Sequence, residues 1–126
     1  GTKVHEVLEL MDFKNPNYTN IDSKITEKIK SFIDSDLIKN NINSKFYKEY
    51  EFIYKEENIV KNGIIDLMIE NESEIIIIDY KLKNIDDDAY NEQLNGYGKY
   101  IASKTNKKIS KYLYSIIDCK FKKIEG

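Results

Sequence analysis

The chain has few of the residues that build cysteine-based sites or irregular folds. Its 126 residues include one cysteine, one proline and no tryptophan, and all 20 basic residues are lysine. The single cysteine, Cys119, excludes an internal disulfide and any four-cysteine zinc or iron–sulfur site within the chain. We expect Cys119 to be a small, buried, apolar side chain.

Long apolar runs are also missing. No stretch could span a membrane and no signal peptide is present, so the sequence predicts a cytoplasmic protein without a membrane partner. Charged residues make up 33% and hydrophobic residues 40% of the chain, which is typical of a globular fold. The length suits a single domain over residues 1–126. Because the chain opens abruptly in a helix-like segment, we expect it to be a fragment of a larger protein.

An excess of positive charge is missing too. The net charge of −2 argues against a basic nucleic-acid-binding module, but clustered acids that bind a metal would also lower the net charge. Two groups of lysines leave two interpretations open, a solvated surface or a face that contacts nucleic acid. They are Lys99, Lys104, Lys107, Lys108 and Lys111, and Lys120, Lys122 and Lys123.

Periodicity predicts an α+β fold with a mixed central sheet flanked by helices. The predicted order is α, α, β, β, β, α, β. Helices are expected over 2–12, from about 22 or 23 to 34, and over 87–103, with a short helical turn at 36–41. Strands are expected over 45–55, 59–70, 74–82 and 109–121. The acids Asp86, Asp87 and Asp88 could form a metal cluster, but acids are favoured in the first turn of a helix, and we prefer that interpretation.

Three charged residues lie where burial is expected. Asp79 and Lys81 end an isoleucine run whose lack of alternation predicts a strand covered on both faces. Asp66 interrupts the apolar run of the preceding strand. A buried charge without a partner costs free energy, of order 1–3 kcal/mol or more. The hairpin therefore needs ion pairs or a metal at this position.

The hairpin register tests this idea. If the turn pairs Asn71 with Glu74, Asp66 lies across from Asp79 on one face, with Cβ atoms roughly 5 Å apart. Lys81 shares that face because side chains alternate with period two. Two facing carboxylates repel unless a cation lies between them. The alternative is that Asp66 and Asp79 are strand-end acids, each paired with a nearby lysine; taken together with Lys81, the set favours a divalent-cation site.

Four segments in order resemble the PD-(D/E)XK nuclease superfamily, and within it the RecB-like nuclease domain of AddA-type helicase–nuclease subunits. They are the first helix with His5 and its end at 10–13 (LMDF), then 63–66 (GIID), 78–81 (IDYK) and 93–97 (QLNGY). The resemblance covers nearly the whole chain and implies that the chain is a C-terminal fragment of a larger helicase–nuclease. It implies a restriction-endonuclease-like αβββαβ core and a magnesium- or manganese-dependent deoxyribonuclease. It also implies a role in double-strand-break repair and recombination.

The resemblance implies roles for individual residues. His5, Asp66, Asp79 and the backbone carbonyl of Tyr80 would bind Mg²⁺ or Mn²⁺, whose preference for oxygen ligands fits this set. Lys81 would orient or help deprotonate a bound water, and partial desolvation should lower its pKa. Two residues one helical turn apart, Gln93 and Tyr97, would point at the site. Glu49 matches a glutamate on the family's first strand and ranks below the others.

Some positions depart from the family pattern. Leu82 and Lys83 follow Lys81 where a threonine and an acid are common, and Lys48 stands where arginine is usual. The segment between the first helix and the first strand is short. The leading hypothesis is an exonuclease domain that cuts single-stranded DNA delivered by an attached helicase, within a complex that has a partner subunit. The alternatives are an inactive DNA-binding or docking module and a stand-alone restriction-type or CRISPR-associated endonuclease.

Overall fold

The helices begin where the sequence supplies capping carboxylates. In the computed structural model, which describes residues 3–126, Asp22 and Asp87 each accept backbone N–H groups from the helix that follows. The prediction that the acidic run at 86–88 starts a helix is therefore confirmed, and the predicted helical residue Thr2 lies outside the described residues. The helices are α1 (Lys3–Leu10), α2 (Ser23–Ile33), α3 (Asp36–Lys39) and α4 (Asp88–Ala102).

One sheet of five strands runs through the molecule in the order β1-β2-β3-β4-β5. Its strands are β1 (Lys45–Glu56), β2 (Ile59–Glu70), β3 (Glu74–Lys81), β4 (Lys108–Ser115) and β5 (Lys120–Ile124). The β3–β4 pair is parallel and the other three pairs are antiparallel. This confirms the α+β class and the mixed sheet with helices against it.

The last predicted strand is wrong, because it is two strands joined by a turn. Ser115 and Asp118 hydrogen bond to each other across this turn, and Cys119 has a left-handed backbone with φ of 53°. These local hydrogen bonds compete with a continuous strand. Cys119 is half-buried rather than buried as expected.

Two apolar clusters cover the two faces of the sheet. The first cluster packs α1, α2 and α3 against the sheet, and the second packs α4 against the other face. Strand β3 contributes to both: Ile76 and Ile78 pack in the first cluster, whereas Ile75 and Ile77 pack in the second. The isoleucine run is therefore covered on both sides, as predicted. Within residues 3–126, no helix has the length and apolar character needed to cross a bilayer.

Candidate active site

Strand β2 changes its side-chain alternation at Asp66. Ile65 and Leu67 are two residues apart, so a regular strand would put them on the same face. They pack instead in the clusters on opposite faces. The β1–β2 ladder likewise has no pair between Glu49 and Asp66, although pairs flank this position on both sides. The β1–β2 pairing is therefore interrupted at one point, and its register is the same on both sides of the interruption.

Glu49 carries the strain of this irregularity. Its φ of 51° is a left-handed conformation in the middle of a strand, which costs a residue with a side chain of order 1–3 kcal/mol. The Glu49 carboxylate points at the first helix, with Oε2 3.4 Å from His5 Nε2. That oxygen is buried and makes no hydrogen bond among the described residues.

His5 and Asp66 complete a group of three possible ligands. His5 Nε2 lies 3.0 Å from Asp66 Oδ1, and one ligand atom from each of His5, Glu49 and Asp66 lies within 4.8 Å of the other two. The Tyr80 N–H donates to Asp66 Oδ2 at 2.8 Å and orients that carboxylate. The His5 ring stands edge-on to the Tyr80 ring, with centroids 5.6 Å apart. Helix α1 and strands β1 and β2 therefore meet at one polar point.

Asp79 is outside this group of three but contacts Asp66. The side chains of Asp66 and Asp79 are 11% and 9% exposed. Burial, followed by the contact with Asp79, raises the pKa of Asp66 far above its ordinary value. Two carboxylates in a poorly solvated place disfavour a second negative charge. A bound cation would remove that penalty.

The predicted hairpin register is confirmed only where the strands pair. The observed pairs run from Glu70–Ile75 to Leu67–Ile78, as the turn at Asn71 and Glu74 predicts. The ladder then stops, so Asp66 and Asp79 do not form the cross-strand pair that simple alternation gave. Instead, the Asp66 carboxylate accepts a hydrogen bond from the Tyr80 N–H. The two acids therefore meet where the sheet opens, and not across a regular ladder.

Lys81 forms an ion pair with one of these acids. Its Nζ lies 2.9 Å from Asp79 Oδ2, although that oxygen has no well-aligned hydrogen-bond partner in the described structure. Burial lowers the pKa of Lys81, but the ion pair with Asp79 outweighs it, and the pKa is raised. The expected net decrease in the pKa of Lys81 is therefore wrong, because the Asp79 carboxylate stabilises the ammonium.

The two predicted residues of α4 behave differently. Tyr97 is buried at 6% exposure, and its hydroxyl lies beside the backbone of Ile64, next to the irregular point in β2. Gln93 is exposed, and its role at the site stays a prediction. The residue that turns toward Lys81 is Tyr90, whose ring centroid lies 4.3 Å from Lys81 Nζ. Its position one turn before Gln93 on the same stripe was the available sequence signal.

Three of the eight lysines in the two lysine groups have polar partners within the fold. Lys107 pairs with Glu70 at 2.8 Å and Lys122 with Asp86 at 3.0 Å. Lys111 is buried and donates to Asn95 Oδ1 at 2.7 Å. These three charges are used within the fold, which favours a structural role for them.

Comparison with known proteins gives partial matches. No protein-family model matches the chain. It is 35% identical over 78 residues to an ATP-dependent helicase/nuclease subunit from Clostridium kluyveri, covering 56% of this chain and 6% of that protein. It is 36% identical over 116 residues to the protein of the same name from Clostridium beijerinckii, covering 70% and 9%. A third, from Bacillus cereus strain G9842, is 28% identical over 147 residues, covering 79% and 12%.

The matched region is a small part of each relative. The chain spans 6 to 12% of the length of these three relatives. The Bacillus cereus alignment extends over 147 positions, more than the 126 residues of the chain, so that relative contains inserted residues in the matched region. The chain is therefore similar to one small part of proteins named as helicase/nuclease subunits.

Proposed function

We propose that this chain is a metal-dependent deoxyribonuclease domain whose site is formed by His5, Glu49, Asp66, Asp79 and Lys81. The observation that carries the proposal is a pair of buried carboxylate oxygens, Glu49 Oε2 and Asp79 Oδ2, that make no well-aligned hydrogen bond within the described structure. The nitrogen near the first is His5 Nε2, and the nitrogen near the second is Lys81 Nζ at 2.9 Å. Both flank Asp66, and an imidazole is within 3.4 Å of Glu49. Similarity to helicase/nuclease subunits supports DNA as the substrate.

The donor set fits a hard divalent cation. Carboxylate oxygens with one imidazole suit Mg²⁺ or Mn²⁺, and His5, Glu49, Asp66 and Asp79 would hold it; the Tyr80 carbonyl stays a predicted further ligand. Such an ion would supply a water of lowered pKa and a contact to a phosphate oxygen. Glu49 joins the predicted ligands because its donor atom lies with those of His5 and Asp66.

The remaining groups would act on charge and orientation. Lys81 carries a positive charge beside Asp79 and would stabilise the negative charge that develops on the phosphate. The Tyr80 N–H would keep the Asp66 carboxylate turned toward His5, and Tyr97 would support the backbone beside Asp66.

The test is degradation of linear single-stranded DNA in the presence of Mg²⁺. We expect activity that disappears with EDTA and with Asp79→Ala. Asp118→Ala, in the turn between β4 and β5, is the matched control and should leave activity unchanged. Activity that survives Asp79→Ala would reject the assigned site. Calorimetry with Mn²⁺ separates the alternative of a docking module, because such a module would bind no Mn²⁺ at millimolar concentration.

A further inference from the structure

Lys81 is held from two directions. On one side, its Nζ lies 2.9 Å from Asp79 Oδ2 within strand β3. On the other, the ring of Tyr90 in the first turn of α4 has its centroid 4.3 Å from the same Nζ. The Lys81 side chain is 23% exposed, so its path between sheet and helix is largely enclosed. A strand and a helix thus fix one ammonium group.

These two contacts of Lys81 differ in whether the partner group would also bind the metal ion. Asp79 is a proposed metal ligand, so its lone pairs would be shared between the ion and Lys81. An aromatic ring attracts a cation through its face and offers no lone pair to a metal. The Tyr90 contact would therefore persist if Asp79 bound a divalent cation, whereas the ion pair between Asp79 and Lys81 would weaken.

We propose that Tyr90 is the positioning residue that keeps the Lys81 ammonium at the site when Asp79 binds the cation. The expected effect of Tyr90 on catalysis rests on the proposed function, whereas its contact with Lys81 does not. Tyr90 acts through its ring face, since its contact with Lys81 is to the ring.

A ring-selective pair of variants tests the role. Tyr90→Phe keeps the aromatic face and should keep the wild-type kcat. Tyr90→Leu removes it, and we expect kcat to fall about three- to thirty-fold with little change in KM, the range expected for a partly desolvated cation–π contact. Mn²⁺ affinity should stay unchanged in both variants. Tyr100→Leu, on the same helix but stacked on Phe52, is the matched control and should leave kcat unchanged.

A second readout does not depend on activity. The ring should shift the proton resonances of the Lys81 side-chain methylene groups upfield in the wild-type protein and in Tyr90→Phe. Tyr90→Leu should remove that shift. The spectra are compared without Mn²⁺, which is paramagnetic, and again with diamagnetic Mg²⁺ present. Loss of the shift on adding Mg²⁺ to the wild type, or equal kcat values for the Leu and Phe variants, would overturn the proposal. A protein without nuclease activity but with the Mg²⁺-resistant shift would reject the proposed function and retain the contact.

Discussion

The two ends of the β2–β3 hairpin bury different kinds of side chain, apolar at one end and charged at the other. Near the turn, from Leu67–Ile78 to Glu70–Ile75, the strands pair regularly, and isoleucines on both faces of β3 are fully covered. At the other end the ladder stops, and Asp66, Asp79 and Lys81 enter the same poorly solvated space. The first end stabilises the fold through apolar burial. The second end contains buried charge that lowers stability.

The difference between the two ends indicates which end of the hairpin can hold a functional site. A regular ladder uses its backbone N–H groups within the sheet, whereas the open end leaves the Tyr80 N–H free to orient the Asp66 side chain. The same irregularity turns Glu49 toward His5. Strain and buried charge together are typical of functional sites. The contrast leads to four predictions, ordered by expected size.

The largest effect is expected at the paired end. Ile77 is 0% exposed, and Ile77→Ala should lower the free energy of unfolding by about 2–5 kcal/mol, from lost burial and a residual cavity. Denaturant unfolding measures this. Mn²⁺ affinity of the folded variant should not change. Ile53→Ala is the control, because Ile53 is 67% exposed, and a comparable loss there would contradict the comparison.

The opposite sign is expected at the charged end. Without metal, Asp66→Asn should raise the free energy of unfolding by about 1–3 kcal/mol, because it removes a buried carboxylate next to Asp79 while its amide oxygen can still accept the Tyr80 N–H. Thermal unfolding in EDTA measures the gain, and calorimetry should show weaker Mn²⁺ binding. Glu72→Gln, in the exposed turn, should change neither quantity. Destabilisation by Asp66→Asn would mean that this end is built for stability.

A smaller effect should expose the strain at Glu49. Glycine adopts positive φ freely, whereas alanine there costs about 1 kcal/mol or more. Glu49→Gly should therefore be about 1 kcal/mol more stable than Glu49→Ala, with both variants binding Mn²⁺ more weakly than wild type. At Glu51, an exposed position of the same strand without positive φ, the order should reverse. The same order at both positions would remove the argument for strain.

The smallest effect concerns a buried polar group that is not charged. The Tyr114 hydroxyl is buried without a well-aligned hydrogen bond in the described structure, although the side chains of Ser31 and Cys119 lie near it. Burial, followed by the nearby Cys119, raises the pKa of Tyr114. Tyr114→Phe should increase stability near pH 7 by about 0.5–1 kcal/mol.

The same variant has a pH signature. Above about pH 10 the unfolded chain loses this phenolic proton while the folded protein keeps it, so wild-type stability falls as the pH rises. In Tyr114→Phe that part of the fall should be absent, as thermal unfolding between pH 9 and 11 would show. Parallel curves for the two proteins would contradict the raised pKa. Unlike the carboxylates at the open end, this group has no proposed ligand.

Much of the fold could be predicted from local sequence. Asp22 and Asp87 mark helix starts because their side chains satisfy free N–H groups. The isoleucine run in β3 predicts a doubly covered strand, since period-two alternation is absent. The same logic failed at the turn before Cys119, where hydrogen bonds between Ser115 and Asp118 break an apolar run that looked continuous.

The site was only partly predictable. The sequence alone determined which residues carry its charge, because Asp66, Asp79 and Lys81 interrupt apolar strands where burial makes charge costly. Only the tertiary structure decided how they meet. The irregularity at Glu49 and Asp66 changes the direction of side chains, and His5 comes from 61 residues away to contact Asp66. Tyr90 turns toward Lys81 for the same reason: the packing of α4 on the sheet depends on non-local contacts, which no local pattern encodes.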